Sequence, residues 1–140
     1  MKVRILAVGK VKEKAYQNRI GEYVKWINRD IPVELIFLKD NDKVNKKLLA
    51  HINPKDHTIC LSEEGETKSS KEFSNLLFNK TLNHTFIIGG PDGLSKHIKE
   101  KTNQIFSLSK LTFPHEMALL ILSEQLYRAV SIEKGRNYHR

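Results

Sequence analysis

The sequence predicts a three-layer α/β domain: a mostly parallel five-stranded sheet with helices on both faces. Two observations carry this reading. Strand-like apolar runs alternate with stretches of helical spacing five times along the chain, the pattern of a parallel sheet covered by its crossover helices. The 140 residues hold no repeat, linker or low-complexity segment, and that length suits one domain, residues 1–140, with a single core.

Each element has a local cause. Val3–Val8 is a β-branched apolar run that stops at Gly9. Tyr16, Ile20, Tyr23, Val24 and Ile27 recur at helical spacing within residues 14–29, and Pro32 breaks that helix. Val33–Leu38 is the second strand. Residues 41–52 form a short helix stopped at Asn53-Pro54, and residues 57–61 the third strand. Ser69-Ser70 can cap a helix with Phe73, Leu76 and Leu77 inward. Residues 85–88 are the fourth strand, ending at Gly89-Gly90-Pro91-Asp92-Gly93. Ser95 caps a helix reaching about Asn103, and residues 105–108 are the fifth strand. Pro114 opens a final helix to about Glu133, where Gly135 stops it.

The net charge of +8 is unevenly spread. Residues 1–29 carry eight Lys/Arg against two Glu, and residues 94–140 carry eight against four. The middle carries eight against ten. Two basic ends around a slightly acidic middle suit a polyanion-binding surface, or simply a solvated basic face. The first apolar stretch is too short and too soon interrupted for a signal peptide. The longest later one, residues 117–122, falls far below the ~20 residues of a membrane span. A single cysteine, Cys60, cannot form an internal disulfide and fits a reducing cytosol. The six His show no metal-ligand spacing with it, so no metal site is expected.

Ligands of parallel sheets bind outside the carboxyl ends of the strands, which points to the loops after Leu61, Ile88 and Leu108. In the second, glycines let backbone approach a ligand, although a ligand-free turn would use the same residues. In the third, a strand end, two hydroxyls and a proline-started helix suit a pocket with apolar walls and a few polar anchors, or a plain helix entry. Along the last helix, residues 117–122 are apolar nearly all round, as in a homodimer interface or a central core helix. Glu124 and Arg128, four apart, share a face of that helix. The tail Asn137-Tyr138-His139-Arg140 either frays or supplies side chains that stack on an unstacked base.

Taken together, Ile5-Leu6-Ala7-Val8-Gly9-Lys10, Ile88-Gly89-Gly90-Pro91-Asp92-Gly93-Leu94, the run from Leu108 to His115, Glu124-Gln125-Leu126-Tyr127-Arg128-Ala129 and Tyr138-His139-Arg140 closely resemble the RlmH family over the whole chain. Its members methylate N3 of a pseudouridine in large-subunit (23S) ribosomal RNA. The resemblance implies a SPOUT-type fold with a C-terminal trefoil knot, a homodimer, S-adenosylmethionine as methyl donor and the assembled ribosome as partner. It implies cofactor contacts from Leu61, Gly89, Leu108, Ser109, Lys110, Leu111, Thr112 and Phe113. Glu124, Arg128, Tyr138 and His139 would build the catalytic, nucleotide side, with the tail reaching across from the partner subunit. The chain departs from the family twice. The segment between the second and third strands is short, and Leu119 stands where many members have Arg, an RNA or interface contact. Two rivals remain: a non-catalytic RNA- or ribosome-binding module of the same fold, and a flavodoxin-like nucleotide protein. Gly9-Lys10-Val11-Lys12 is a poor phosphate loop for the latter.

Overall fold

Ten elements follow in order in the computed structural model, which describes residues 1–140: β1 (Val3–Val8), α1 (Lys14–Ile27), β2 (Val33–Leu38), α2 (Val44–His51), β3 (His57–Thr67), α3 (Ser70–Phe78), β4 (His84–Ile88), α4 (Lys96–Glu100), β5 (Gln104–Ser107) and α5 (His115–Glu133). The sheet order is β2-β1-β4-β3-β5 and every pairing is parallel, so the predicted class holds.

The two-residue period of the strands sorts their side chains between two cores. Val3, Ile5 and Ala7 of β1, with Ile59, Phe86 and Ile88, face α1, α3 and α5. Leu6, Val8, Cys60 and Ile87 face Leu48 of α2 and Ile98 of α4. Burying each large apolar side chain contributes about 1.5–3 kcal/mol. Phe73 stacks on Phe106 with centroids 5.2 Å apart, which pins α3 to the sheet. Ser69 and Glu72 form a reciprocal capping box at the start of α3, and Ser95 caps α4.

Several boundaries differ from expectation. Helix α1 ends at Ile27 because the Asn28 side chain donates to the Val24 carbonyl and accepts from the Val33 amide at 3.0 Å. Helix α4 stops at Glu100, and β5 both begins and ends one residue early, at Gln104 and Ser107, so that Leu108 falls in the loop. The largest difference is β3, expected to end at Leu61 and in fact continuing to Thr67. Its register slips between Leu61 and Glu66, both opposite Phe106. Ser62, Glu63 and Glu64 therefore bulge toward the carboxyl end of the sheet. Gly65 permits this: a Cβ there would lie 2.6 Å from the Ile105 carbonyl oxygen.

The chain then crosses the whole sheet. Strand β5 lies at the edge, yet α5 starts beside β1, where the Glu116 carboxylate accepts the amides of Lys12 (2.7 Å) and Glu13 (3.1 Å). Residues 108–114 thus pass over the carboxyl ends of β3 and β4. Along α5, Leu119, Leu122, Leu126, Ala129 and Val130 are buried, while Met117, Leu120 and Ile121 are half-buried. The all-round apolar run is therefore core on one side and open on the other. Leu119 is 2% exposed and belongs to the core, so the RNA or interface contact expected of position 119 does not arise from this side chain. No helix is long and apolar enough to cross a membrane.

Candidate active site

The bulge after Leu61, the loop after Ile88 and the crossing segment after Ser107 converge on one cleft of about 800 Å³. Leu61, Gly89, Leu108, Ser109, Leu111, Thr112 and Phe113 line it, seven of the eight residues expected there; Lys110 does not. Residues that the sequence reading did not single out also line it, among them Glu63, Lys99 and Ala118.

Local bonds shape the three walls. Gly93 donates its amide to the Gly90 carbonyl at 2.9 Å and adopts φ 74°, which turns the loop back on itself. A Cβ on Gly89 would lie 2.7 Å from the Gly93 carbonyl carbon, so this glycine is required by the closure of its own loop. The Ser107 hydroxyl donates to the Ser109 carbonyl at 2.6 Å, and Ser109 Oγ accepts the Leu111 amide at 3.1 Å. Thr112 donates to Glu63, tying the crossing segment to the β3 bulge. Leu111, 72% exposed, stands at the tip of that segment.

Glu124, Arg128, Tyr138 and His139 form a second cluster. Arg128 Nε donates to both Glu124 oxygens, at 2.8 and 3.2 Å, and its Nη1 lies 3.1 Å from His139 Nδ1. The guanidinium stacks over the Tyr138 ring, 4.8 Å from its centroid. The Glu124 bond raises the Arg128 pKa above its usual value, while burial, then the nearby Tyr23 hydroxyl, pushes Tyr138 up. Since Arg only donates, the bond to His139 requires a lone pair on Nδ1, which places the imidazole proton on Nε2.

The tail is anchored. Arg136 grips Asp30 through two bonds of 2.6 and 2.8 Å, and Tyr138 meets Tyr127 edge-on at 4.8 Å. Tyr23 and Trp26 of α1 extend this aromatic patch. These partners were missed because a terminal Arg and two helix aromatics carry no motif. Tyr138 and His139 thus pack on Arg128 of their own chain, and tail and Arg128 form one unit. That unit is not in the cleft. From Ala118, which lines the cleft, to Arg128 is ~15 Å along the helix at ~1.5 Å per residue.

A parallel sheet with a cleft built from three loops at its carboxyl ends defines an α/β protein made to bind a small ligand. Comparison with known proteins gives the family. The family model described as "Predicted SPOUT methyltransferase" matches residues 1–139. The ribosomal RNA large subunit methyltransferase H of Streptococcus thermophilus (strain CNRZ 1066) is 39% identical over 100% of both chains. That alignment is 159 positions long against 140 residues here, so this chain is the shorter. The protein of the same name from Prochlorococcus marinus is 44% identical over 98% of this chain and 94% of its own. Among solved structures, a probable methylase family protein from Haemophilus influenzae Rd KW20 superposes with TM-score 0.60 at 9% identity, covering 99% of this chain and 70% of that one. The SpoU methyltransferase AviRb from Streptomyces viridochromogenes, solved with its cofactor AdoMet, gives TM-score 0.51 at 12% identity, covering 96% and 61%. The chain belongs to the SPOUT methyltransferase family.

Proposed function

We propose that this protein transfers a methyl group from S-adenosylmethionine to N3 of a pseudouridine in large-subunit ribosomal RNA. In this reading it works in the cytoplasm as a homodimer on the assembled ribosome. The observation that carries the reading is the convergence of Leu61, Gly89 and the segment after Ser107, far apart in sequence, on a single cleft. Two relatives named as methyltransferases of that RNA, alike over nearly their whole length, supply the substrate class.

The cleft fits an adenosyl ligand. Its volume of about 800 Å³ lies within the usual range for small-molecule sites. Leu61, Leu108 and Ala118 offer apolar walls for a purine, and the backbone of the Gly89 loop and of residues 108–113 offers polar anchors. When bound, S-adenosylmethionine supplies an electrophilic methyl carbon. The protein's part is to position the acceptor and to favour its anion. The imide N3–H is a weak acid whose proton passes to solvent water before N3 takes the methyl. Arg128 Nη2 is free of partners in the cluster, and His139 Nε2 carries a proton. Both donors suit the negative charge that develops on the imide oxygens. Glu124 holds the guanidinium in place, so it is a positioning residue. With its Nδ1 lone pair spent on Arg128, His139 acts as a donor rather than as the base.

Cleft and cluster lie apart within one chain, so a working site takes the cleft of one subunit and the cluster of its partner. The half-buried Met117, Leu120 and Ile121 suit the contact between α5 helices. The threaded C-terminus belongs to the same reading and is favoured by the passage of residues 108–114 across the sheet. Calorimetry with S-adenosylmethionine tests the proposal, with a dissociation constant on the order of micromolar expected. No binding, with RNA binding retained, would leave the non-catalytic module.

A further inference from the structure

A second cavity, of about 390 Å³, lies at the carboxyl ends of β1 and β2 and shares Pro91 and His115 with the cleft. Its construction follows from the sheet. Val8 and Leu38 are partners in register, and the Gly9 amide donates to the Leu38 carbonyl at 2.8 Å. The residues after both strands therefore leave side by side, which brings Lys10 and Lys12 to the same groove as Lys39. All three are exposed, and none has an acidic partner among the ion pairs of the protein. Phe37, 46% exposed, forms an apolar wall. Two carboxylates also line the groove. Glu116 is engaged with the amides of Lys12 and Glu13. Asp40 stands against Gly90, whose Cβ position would be 3.0 Å from Asp40 Oδ2.

Three unpaired ammonium groups around an exposed aromatic face match the chemistry of single-stranded nucleic acid: phosphates take the cations and a base takes the ring. We propose that this groove holds the RNA strand flanking the methylated nucleotide, with phosphates on Lys10, Lys12 and Lys39 and one unstacked base on Phe37. The inference rests on the proposed RNA substrate and adds where the strand runs. Its direction follows from continuity: a strand lying in the groove reaches the cleft past His115, whose Nε2 stands 3.6 Å from the Cβ position of Gly9. Asp40 then faces a ribose hydroxyl or a base amino group, which donate where a phosphate could not. The Gly9-Lys10-Val11-Lys12 segment thus meets phosphate through side chains, the part its backbone is ill-suited to play.

The test uses the whole protein and a fluorescent oligouridylate of about ten nucleotides, within the usual single-strand site size. Affinity is read by anisotropy across a salt series. Lys10→Gln, Lys12→Gln and Lys39→Gln should each weaken binding several-fold and lower the slope of log K against log salt by about 0.7. Phe37→Ala should weaken it about tenfold, and Phe37→Trp should retain it. Lys80→Gln, an exposed lysine before β4, should change nothing. Unchanged slopes in the groove variants, an equal loss in Lys80→Gln, or no binding by the unaltered protein would overturn the inference. Calorimetry with S-adenosylmethionine on the same variants keeps the two readings apart. Failure of the unaltered protein to bind the cofactor sinks the methyl-transfer reading alone, while the salt slopes still decide the groove.

Discussion

Two side chains show how a local environment becomes a measurable property. Arg128 is held by Glu124 on one edge, His139 on another and the Tyr138 face below. A planar fork makes all three contacts at once, and an ammonium cannot. Arg128→Lys should therefore lower methyl transfer on the order of 10²-fold while leaving S-adenosylmethionine affinity unchanged. Equal loss of both would place Arg128 in the cleft instead. His84 is a structural counterpart. It is buried, its Nε2 donates to the Leu77 carbonyl at 3.0 Å, and its Nδ1 has no partner. Burial holds its pKa below the ordinary 6.5, because a proton on Nδ1 would be a buried charge. The unfolded chain takes that proton as pH falls below about 6.5 and the folded chain does not, so stability is full above that value and declines below it. Urea midpoints at about pH 7.5 and about pH 5.5 should differ in this protein and converge in His84→Gln. A difference that persists in the variant would assign it to another group.

At the scale of elements, the β3 bulge and the loops it meets explain both the site and the limits of reading it. A Gly65→Ala change sets a methyl against the Ile105 carbonyl, where neither backbone can yield, and should cost about 1–3 kcal/mol. Denaturant unfolding checks this; a neutral result would mean that the bulge relaxes freely. The strands with buried apolar runs were legible because burial on both faces leaves its mark in every residue. Residues 62–67 were not legible, since Ser62-Glu63-Glu64-Gly65-Glu66-Thr67 carries no apolar period and is strand only through backbone bonds to β5. Glu63 was missed with it. The loop after Ile88 and the segment after Ser107 could be found as glycine-rich and proline-ended strand exits. Nothing in Lys110 itself says that it turns away from the cleft its neighbours line. On α5 the apolar run from residue 117 to 122 could not tell core from interface. Leu119 faces inward, whereas Leu120 and Ile121 remain half-open.

For the whole molecule the decisive fact is separation. One chain holds a cleft at the start of α5 and the Glu124–Arg128 cluster beyond its middle, and tail and Arg128 sit on the same side of that division. Gly89→Val, which forces open the cleft loop, and Arg128→Ala, which empties the cluster, should each be inactive alone. Mixed in equal amounts with subunit exchange verified, they should recover roughly a quarter of the activity, since half of the pairs are mixed and each has one intact site. Arg128→Ala mixed with a chain lacking residues 137–140 should recover none, because both lesions fall in the same half. Recovery in the second mixture would mean that tail and Arg128 serve different sites.

Methyl transfer itself can be followed atom by atom. Ribosomes lacking the modification are incubated with the protein and S-adenosylmethionine carrying a labelled methyl, and the RNA is digested to nucleosides for mass spectrometry. Label should appear in a single nucleoside, pseudouridine methylated at N3, and should be lost with Arg128→Lys. Label on another base, or none despite bound S-adenosylmethionine, would contradict the proposed reaction.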